Sequence, residues 1–165
     1  MRIRLLVLDV DGVLTDGTFL LPHDGEEWKA FHASDGLGLK LLRSAGVKVV
    51  LLSGRRSGAV ERRARELALD GLVQGRDDKA AALYELGTQH GVPPAEIAYM
   101  GDDLVDLPAM RAAGFSAAPA SARPEVREAA AWVAPSAGGR GAVRDLCEHL
   151  LRLMGRWDDA LESFR

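Results

Sequence analysis

A doubly wound, Rossmann-like α/β domain with a parallel sheet is the fold class this sequence predicts. Three observations carry that reading. Short, continuous apolar runs alternate with stretches of helical periodicity. The runs are Leu-, Ile- and Val-rich without a polar alternation, which suits strands covered on both faces. Each major run ends at a turn that carries polar residues, as strands of an open α/β sheet do where they deliver a binding site.

Taken in order, Ile3 to Leu8 reads as the first strand, and Asp9 and Asp11 follow it. The apolar stretch Met1 to Val10 is interrupted by that acidic residue, is too short to span a bilayer and lacks a signal-cleavage pattern. Thr18 to Leu21 and Glu27 to Phe31 have strand character around the turn His23-Asp24-Gly25, so a β-hairpin insertion is expected over about 18–31. Leu37 to Ala45 sets Leu37, Leu41 and Leu42 on one helical side and stops at Gly46. Strands are predicted at Val47 to Leu52, Leu72 to Gln74 and Ile97 to Met100, with weaker ones at Phe115 to Ala118 and Ala131 to Val133. Helices are predicted at Val60 to Leu69, Lys79 to His90 and Leu104 to Ala113, with Asp77 or Asp78 capping the second of these. A last helix, Arg140 to Met154, leads into a tail, so helix and tail fill about 140–165, and Ala117 to Pro124 reads as a loop. No repeat or linker divides the chain, and residues 1–165 read as a single domain.

The 165 residues are 47% hydrophobic and 27% charged, enough for a sizeable core. A formal net charge of −3 gives no general affinity for nucleic acid or an anionic membrane, so any anion must be held by a local site. The lone cysteine, Cys147, cannot form an internal disulfide, which fits a cytoplasmic protein. His23, His90 and His149 lack metal-ligand spacing, and Trp28, Trp132 and Trp157 read as packing or interface residues.

At the strand ends lie, in order, Asp9, Asp11 and Thr15; Ser53 and Gly54 with Arg55; Lys79 after Gln74-Gly75; and Asp102, Asp103 and Asp106. Each piece alone has a bland reading: a turn, a loop, a solvated lysine, a helix cap. Together they suit phosphoryl transfer. Three converging carboxylates repel one another unless a hard divalent cation such as Mg2+ joins them. Ser53 and Lys79 then hold phosphate oxygens, Asp9 attacks phosphorus, and Asp11 protonates the leaving oxygen and later activates water.

The run Asp9-Val10-Asp11-Gly12-Val13-Leu14-Thr15-Asp16-Gly17 resembles motif one of the haloacid dehalogenase-like phosphatases. Ser53, Lys79 and Gly101-Asp102-Asp103-Leu104-Val105-Asp106 resemble motifs two, three and four. The hairpin, Phe31 to Gly38, Gln74-Gly75 and Gly138 to Arg144 are similar to the branch of 3-deoxy-D-manno-octulosonate 8-phosphate phosphatases, and the likeness covers nearly the whole chain. Nonulosonate 9-phosphate phosphatases share that scaffold.

The resemblance implies Asp9 as nucleophile and metal ligand, Asp11 as acid/base with its carbonyl as ligand, and Asp102 as the third Mg2+ ligand. It implies phosphate contacts from Ser53 and Lys79, and support from Thr15, Asp103 and Asp106. It implies substrate contacts from His32, Ala33, Ser34, Asp35, Gly36, Lys40, Gly54, Arg55 and Arg63. His32, Ser34 and Lys40 depart from the usual Asn, Arg and Arg; Arg55 keeps the octulosonate pattern, where nonulosonate enzymes often place Glu. The expected substrate is a small phosphorylated sugar acid, in lipopolysaccharide biosynthesis. With only a hairpin after motif one, and one helix and one strand between Ser53 and Lys79, no cap domain fits. A homotetramer whose hairpins cover one another's sites is expected instead, with Arg156 to Arg165 reaching a neighbour. A receiver-like signalling domain also carries a phosphorylated Asp, a hydroxyl residue and a Lys, but in a different order along its strands.

Overall fold

The computed structural model describes residues 1–162 and 164–165. Strands β1 (Leu5–Leu8), β2 (Lys48–Ser53), β3 (Gly71–Gln74), β4 (Ile97–Met100), β5 (Phe115–Ala118) and β6 (Trp132–Val133) form one sheet in the order β3-β2-β1-β4-β5-β6. Every pairing is parallel. Helices α1 (Ala33–Ser44), α2 (Gly58–Glu66), α3 (Lys79–His90), α4 (Leu107–Ala112), α5 (Pro124–Ala129), α6 (Ala142–Leu153) and α7 (Trp157–Glu162) follow in chain order.

The apolar runs explain the three layers. Side chains alternate across a strand, so Leu6 and Leu8 join Leu39, Leu42, Val60, Leu146 and Leu150 on one face. Leu5 and Val7 join Leu83, Leu86, Ala109, Met110 and Val126 on the other. A strand that is buried on both sides needs apolar residues at both parities, and β1 supplies them.

Several elements differ from the sequence expectation. Helix α1 starts at Ala33, ahead of the expected Leu37, because tertiary packing overrides the low helix propensity of Gly36 and Gly38. A Cβ on Gly38 would lie 3.1 Å from the Arg144 Cα, so this glycine lets α1 lie against α6. Asp35 fastens the same contact, accepting from the Arg144 backbone N–H (2.9 Å). The expected helix from Leu104 opens as a 3-10 turn, Leu104–Asp106, capped by Asp103 and Asp106. Helix α5, with Pro124 at its start, follows the loop at Ala117 to Pro124 and was not expected.

The hairpin is the largest departure. Its two arms make one antiparallel bridge, Leu20 with Trp28, in place of two full strands. Leu20, Leu21 and Trp28 are 58%, 74% and 66% exposed, so nothing covers the arm's outer side, and a lone hairpin is marginal in water. The tail also differs: α7 turns back onto its own domain, where Trp157 packs against the core under Arg152 (4.5 Å) and Ala160 is buried. The expected reach of Arg156 to Arg165 includes Ser163, which lies outside the described residues. Among the described residues, no helix is long and apolar enough to cross a membrane, and no cap domain interrupts the motifs.

Candidate active site

The strand order reverses between β1 and β4, which are direct neighbours although α1, β2, α2, β3 and α3 lie between them in the chain. Ligands of open α/β sheets bind at such a switch point, beyond the strands' carboxyl ends. Asp9 sits there. Its N–H donates to the Met100 carbonyl (3.0 Å), which carries the β1–β4 pairing one residue past the strand and brings Asp9 beside Asp102.

The loop after β1 is tied down locally. Thr15 Oγ1 is buried and accepts from the N–H groups of Gly12 (3.3 Å) and Gly17 (3.1 Å). Gly138 presses on this loop so closely that a Cβ there would fall 1.8 Å from the Gly12 carbonyl oxygen. That contact accounts for the Gly138-Gly139 pair, whose second N–H donates to the Val13 carbonyl (3.1 Å).

Lys79, at the start of α3, reaches into the sheet end. Its Nζ donates to Asp9 Oδ1 (2.7 Å) and to Asp106 Oδ1 (2.6 Å), and all three side chains are buried. Burial opposes the Lys79 charge, but Asp9 and Asp106 outweigh it and push its pKa up. Asp106 is a hub. The Tyr99 hydroxyl also donates to its Oδ1 (2.6 Å), while the N–H groups of Asp102 (2.9 Å) and Asp103 (3.2 Å) donate to its Oδ2. Burial and the nearby carboxylates push the Tyr99 hydroxyl up, which keeps it a donor.

Oxygens of Asp9, Asp102 and Asp106 lie within 4.8 Å of one another. A carboxylate has about four acceptor sites, and Asp106 has committed two on each oxygen. Asp9 and Asp102 are therefore the pair left to hold a cation, with Asp106 shaping the loop that presents Asp102. The donor chemistry fits a hard divalent ion. Asp9 is pushed up to about 6 by burial and then by the Asp106 charge, against the pull of Lys79. Asp102 is pushed up to about 8 by burial and by the Asp9 and Asp106 charges. Two carboxyl groups that resist ionising together are what a cation relieves.

This has a pH consequence. Both folded-state values lie above those of free carboxyls, so the fold holds more protons than the unfolded chain. The contribution of this pair to stability falls as pH rises from about 4 to about 8. Cation binding needs both groups deprotonated. Mg2+ should therefore raise the melting temperature more at pH 8 than at pH 6. A hundredfold excess over Kd is worth about 2.7 kcal/mol, or roughly 5–10 °C for a domain of this size. Thermal melts with and without Mg2+ check this; an equal or smaller shift at pH 8 contradicts it.

A cleft of about 210 Å3 is lined by Asp9, Asp11, Ser53, Gly54, Arg55, Asp77, Lys79, Asp102, Asp103 and Val105. It gathers the strand-end residues expected from the sequence. Ser53 is buried and its Oγ accepts from the Arg55 N–H (3.1 Å). Larger hollows exist, one of about 680 Å3 along α2 and edge strand β3, but they lack Asp9, Lys79 and Asp102.

The other expected substrate residues lie outside this cleft. Ala33 and Lys40 are exposed, and His32 and Ser34 bond to each other (Nδ1 to Oγ, 2.6 Å). Asp35 and Gly36 are buried in their own chain, Gly36 beneath the Arg63 guanidinium. Arg63 pairs with Glu66 (3.2 Å) and lines a separate hollow of about 470 Å3 beside Trp28 and Phe31.

Four residues of the site were not expected. Asp77 lines the cleft instead of capping α3; Asp78 makes the cap, accepting from Ala81 N–H (3.2 Å). Tyr99 had a signal, since a tyrosine in an aliphatic buried strand needs a partner for its hydroxyl. Glu27 and Lys29 had none, because charges on a predicted hairpin read as solvated. Lys29 Nζ donates to Asp11 Oδ1 and lies 3.3 Å from Glu27 Oε1, and Arg55 Nη2 donates to Glu27 Oε2 (2.7 Å).

Comparison with known proteins agrees with this geometry. A family model of haloacid dehalogenase-like hydrolases matches residues 34–114. The 3-deoxy-D-manno-octulosonate 8-phosphate phosphatase KdsC of Escherichia coli K12 is 42% identical over 159 residues, 96% of this chain and 85% of that protein. The crystal structure of the Moraxella catarrhalis 3-deoxy-D-manno-octulosonate 8-phosphate phosphatase, in complex with magnesium, phosphate and KDO, superposes with a TM-score of 0.96. It is 39% identical, over 99% of this chain and 94% of that one. The cobalt-bound YrbI phosphatase of Haemophilus influenzae has a TM-score of 0.91 at 41% identity, over 94% and 91% of the two chains. With its strand-end acids, buried lysine and capless sheet accounted for on both grounds, this chain belongs to the haloacid dehalogenase-like hydrolases, in the family of 3-deoxy-D-manno-octulosonate 8-phosphate phosphatases.

Proposed function

We propose that this chain is a Mg2+-dependent phosphomonoesterase that hydrolyses 3-deoxy-D-manno-octulosonate 8-phosphate to the free sugar acid and phosphate. The observation that carries this reading is the buried Asp9–Lys79–Asp106 chain at the switch point, with Asp102 beside it and Asp11 at the cleft. Asp9, Asp102 and the Asp11 carbonyl hold Mg2+, which offsets the site's negative charge and lets a phosphate dianion approach. Lys79 and Ser53 hold phosphate oxygens, with Gly54 leaving room beside them. An Asp9 carboxylate oxygen bonds to phosphorus as the ester P–O bond breaks, and Asp11 gives its proton to the leaving oxygen. A water then attacks phosphorus, Asp11 takes its proton, and the Asp9–P bond breaks to release phosphate.

Arg55, at the cleft and half-exposed, suits the substrate's carboxylate, for which a guanidinium fork is well shaped. His32, Ala33, Ser34, Lys40 and Arg63 meet substrate from a neighbouring copy in a homotetramer. The bare outer side of the 18–31 arm supports that assembly, because Leu20, Leu21 and Trp28 are costly to leave in water. The lone buried Cys147 supports a cytoplasmic setting.

A phosphate-release screen with Mg2+ tests the reading. The octulosonate phosphate should be hydrolysed faster than nonulosonate 9-phosphate or sugar phosphates without a carboxylate. Arg55→Ala should cost the acid substrate about tenfold or more in kcat/KM and an aryl phosphate much less. The same preparation should sediment as a tetramer. Faster hydrolysis of a carboxylate-free sugar phosphate contradicts the substrate assignment, and a fully active monomer contradicts the assembly.

A further inference from the structure

Lys29 lies on an arm whose outer residues are in water, yet its own side chain is 0% exposed. A surface lysine normally buries its stem and leaves the ammonium in solvent. Burying the charge costs several kcal/mol unless partners replace the water. Here the partners are two carboxylates. Nζ donates to Asp11 Oδ1 and lies 3.3 Å from Glu27 Oε1, with the Phe19 ring 5.3 Å away. Arg55 closes a ring of alternating charge. Its Nη2 donates to Glu27 Oε2 (2.7 Å), its Nε is 4.0 Å from Asp11 Oδ2, and its guanidinium lies over Phe19 at 4.0 Å. Burial pushes the Glu27 carboxyl up, but the Arg55 hydrogen bond and the Lys29 charge hold it below its usual range.

Asp11 thus has a cation at each oxygen, one delivered by the arm and one by the loop after β2. Glu27 holds both cations. Arg55 is half-exposed and lines the cleft; the Lys29 side chain is enclosed, and Lys29 is not among the residues that line the cleft. What Lys29 can do for the reaction, it does through Asp11. Proton transfer needs heavy atoms about 2.6–3.2 Å apart, so the orientation of that carboxylate matters to the rate.

We infer that Lys29 is a positioning residue for Asp11, and that the 18–31 arm reaches the chemistry through it. The inference rests on the phosphatase reading above. It concerns the second step most directly, where Asp11 must take a proton from the attacking water. An aryl phosphate separates the steps, since its leaving group departs without a proton. In the first step the Asp9–P bond forms and the P–O(aryl) bond breaks. In the second, water adds to phosphorus, its proton goes to Asp11, and the Asp9–P bond breaks.

The test is rapid mixing of Lys29→Met with p-nitrophenyl phosphate and Mg2+. Methionine fills the stem's volume and removes the charge. The expected result is a stoichiometric burst of nitrophenolate, then a steady rate about tenfold or more below that of the parent protein. KM should fall together with the steady rate, so that kcat/KM and the half-saturating Mg2+ stay within about twofold, and Lys29→Arg should recover part of the rate. If Lys29→Met does not fold, the neutral pair Glu27→Gln with Lys29→Met gives the same readings. A steady rate within about twofold of the parent overturns the inference, as does a slow rate without a burst, which would put the loss on Asp9. A parent protein that releases no phosphate from any substrate refutes the phosphatase reading instead.

Discussion

Asp9→Asn should lower turnover by about a thousandfold or more while substrate still binds. The amide oxygen is a poor nucleophile, and the acids grouped with Asp9 are otherwise engaged. Asp106 has spent its acceptor sites on Lys79, Tyr99 and two backbone N–H groups. Asp102 is the carboxylate proposed to hold the cation, and Asp11 is engaged by Lys29. The substitution should not cost stability in the metal-free protein. Burial and the Asp106 charge hold the Asp9 carboxyl at about 6 in spite of Lys79, so the fold gains when this group is neutral. Phosphate release and thermal melts on one preparation check both statements. Turnover within about tenfold of the parent would remove Asp9 as nucleophile.

Asp106→Asn should be the most destabilising single change at the site. The asparagine keeps the volume, but only one of its two terminal atoms accepts hydrogen bonds. With the oxygen toward Lys79 and Tyr99, its NH2 meets the N–H groups of Asp102 and Asp103; turned over, it meets the ammonium and the hydroxyl. Either way buried donors face donors. The expected loss is roughly 3–5 kcal/mol, a large part of a typical domain's stability. Tyr99→Phe removes one donor from the same hub and should cost only about 1 kcal/mol. Urea unfolding midpoints measure the difference. Activity should fall with Asp106→Asn even where the fold survives, because the Asp102 backbone is placed by the Oδ2 bond. A loss below about 1 kcal/mol would show that the hub carries little of the fold.

Much of this protein is legible from residue order alone. Strands buried on both faces must be apolar at both parities, so Ile3 to Leu8, Val47 to Leu52 and Ile97 to Met100 stand out as apolar runs where the observed strands lie. Because the sheet is parallel, all its carboxyl ends fall on one edge. That makes Asp9, Asp11, Ser53, Lys79 and Asp102 a candidate site once the strands are recognised. Local chemistry explains α3 as well: Asp78 caps its start, and Gly91, at φ 65°, ends it within the expected bounds.

The tertiary structure decided what depends on distance in space. Asp106 reads from sequence as one more acid near Asp102. Only the approach of Lys79, 27 positions away, and of Tyr99 from the adjoining strand makes it a saturated hub. Lys29 meets Asp11 across 18 residues because the arm folds onto the cleft. No periodicity encodes that contact, and a lysine's sequence neighbours do not reveal whether its charge is in water. The arm marks the same boundary from the other side. Its strand-like segments around a turn predict a hairpin, but pairing beyond Leu20 and Trp28 needs a surface to pack on, and a single copy of the chain offers none among the described residues. Local pattern sets which elements this chain forms, while burial and charge pairing between distant segments set which of its residues act together.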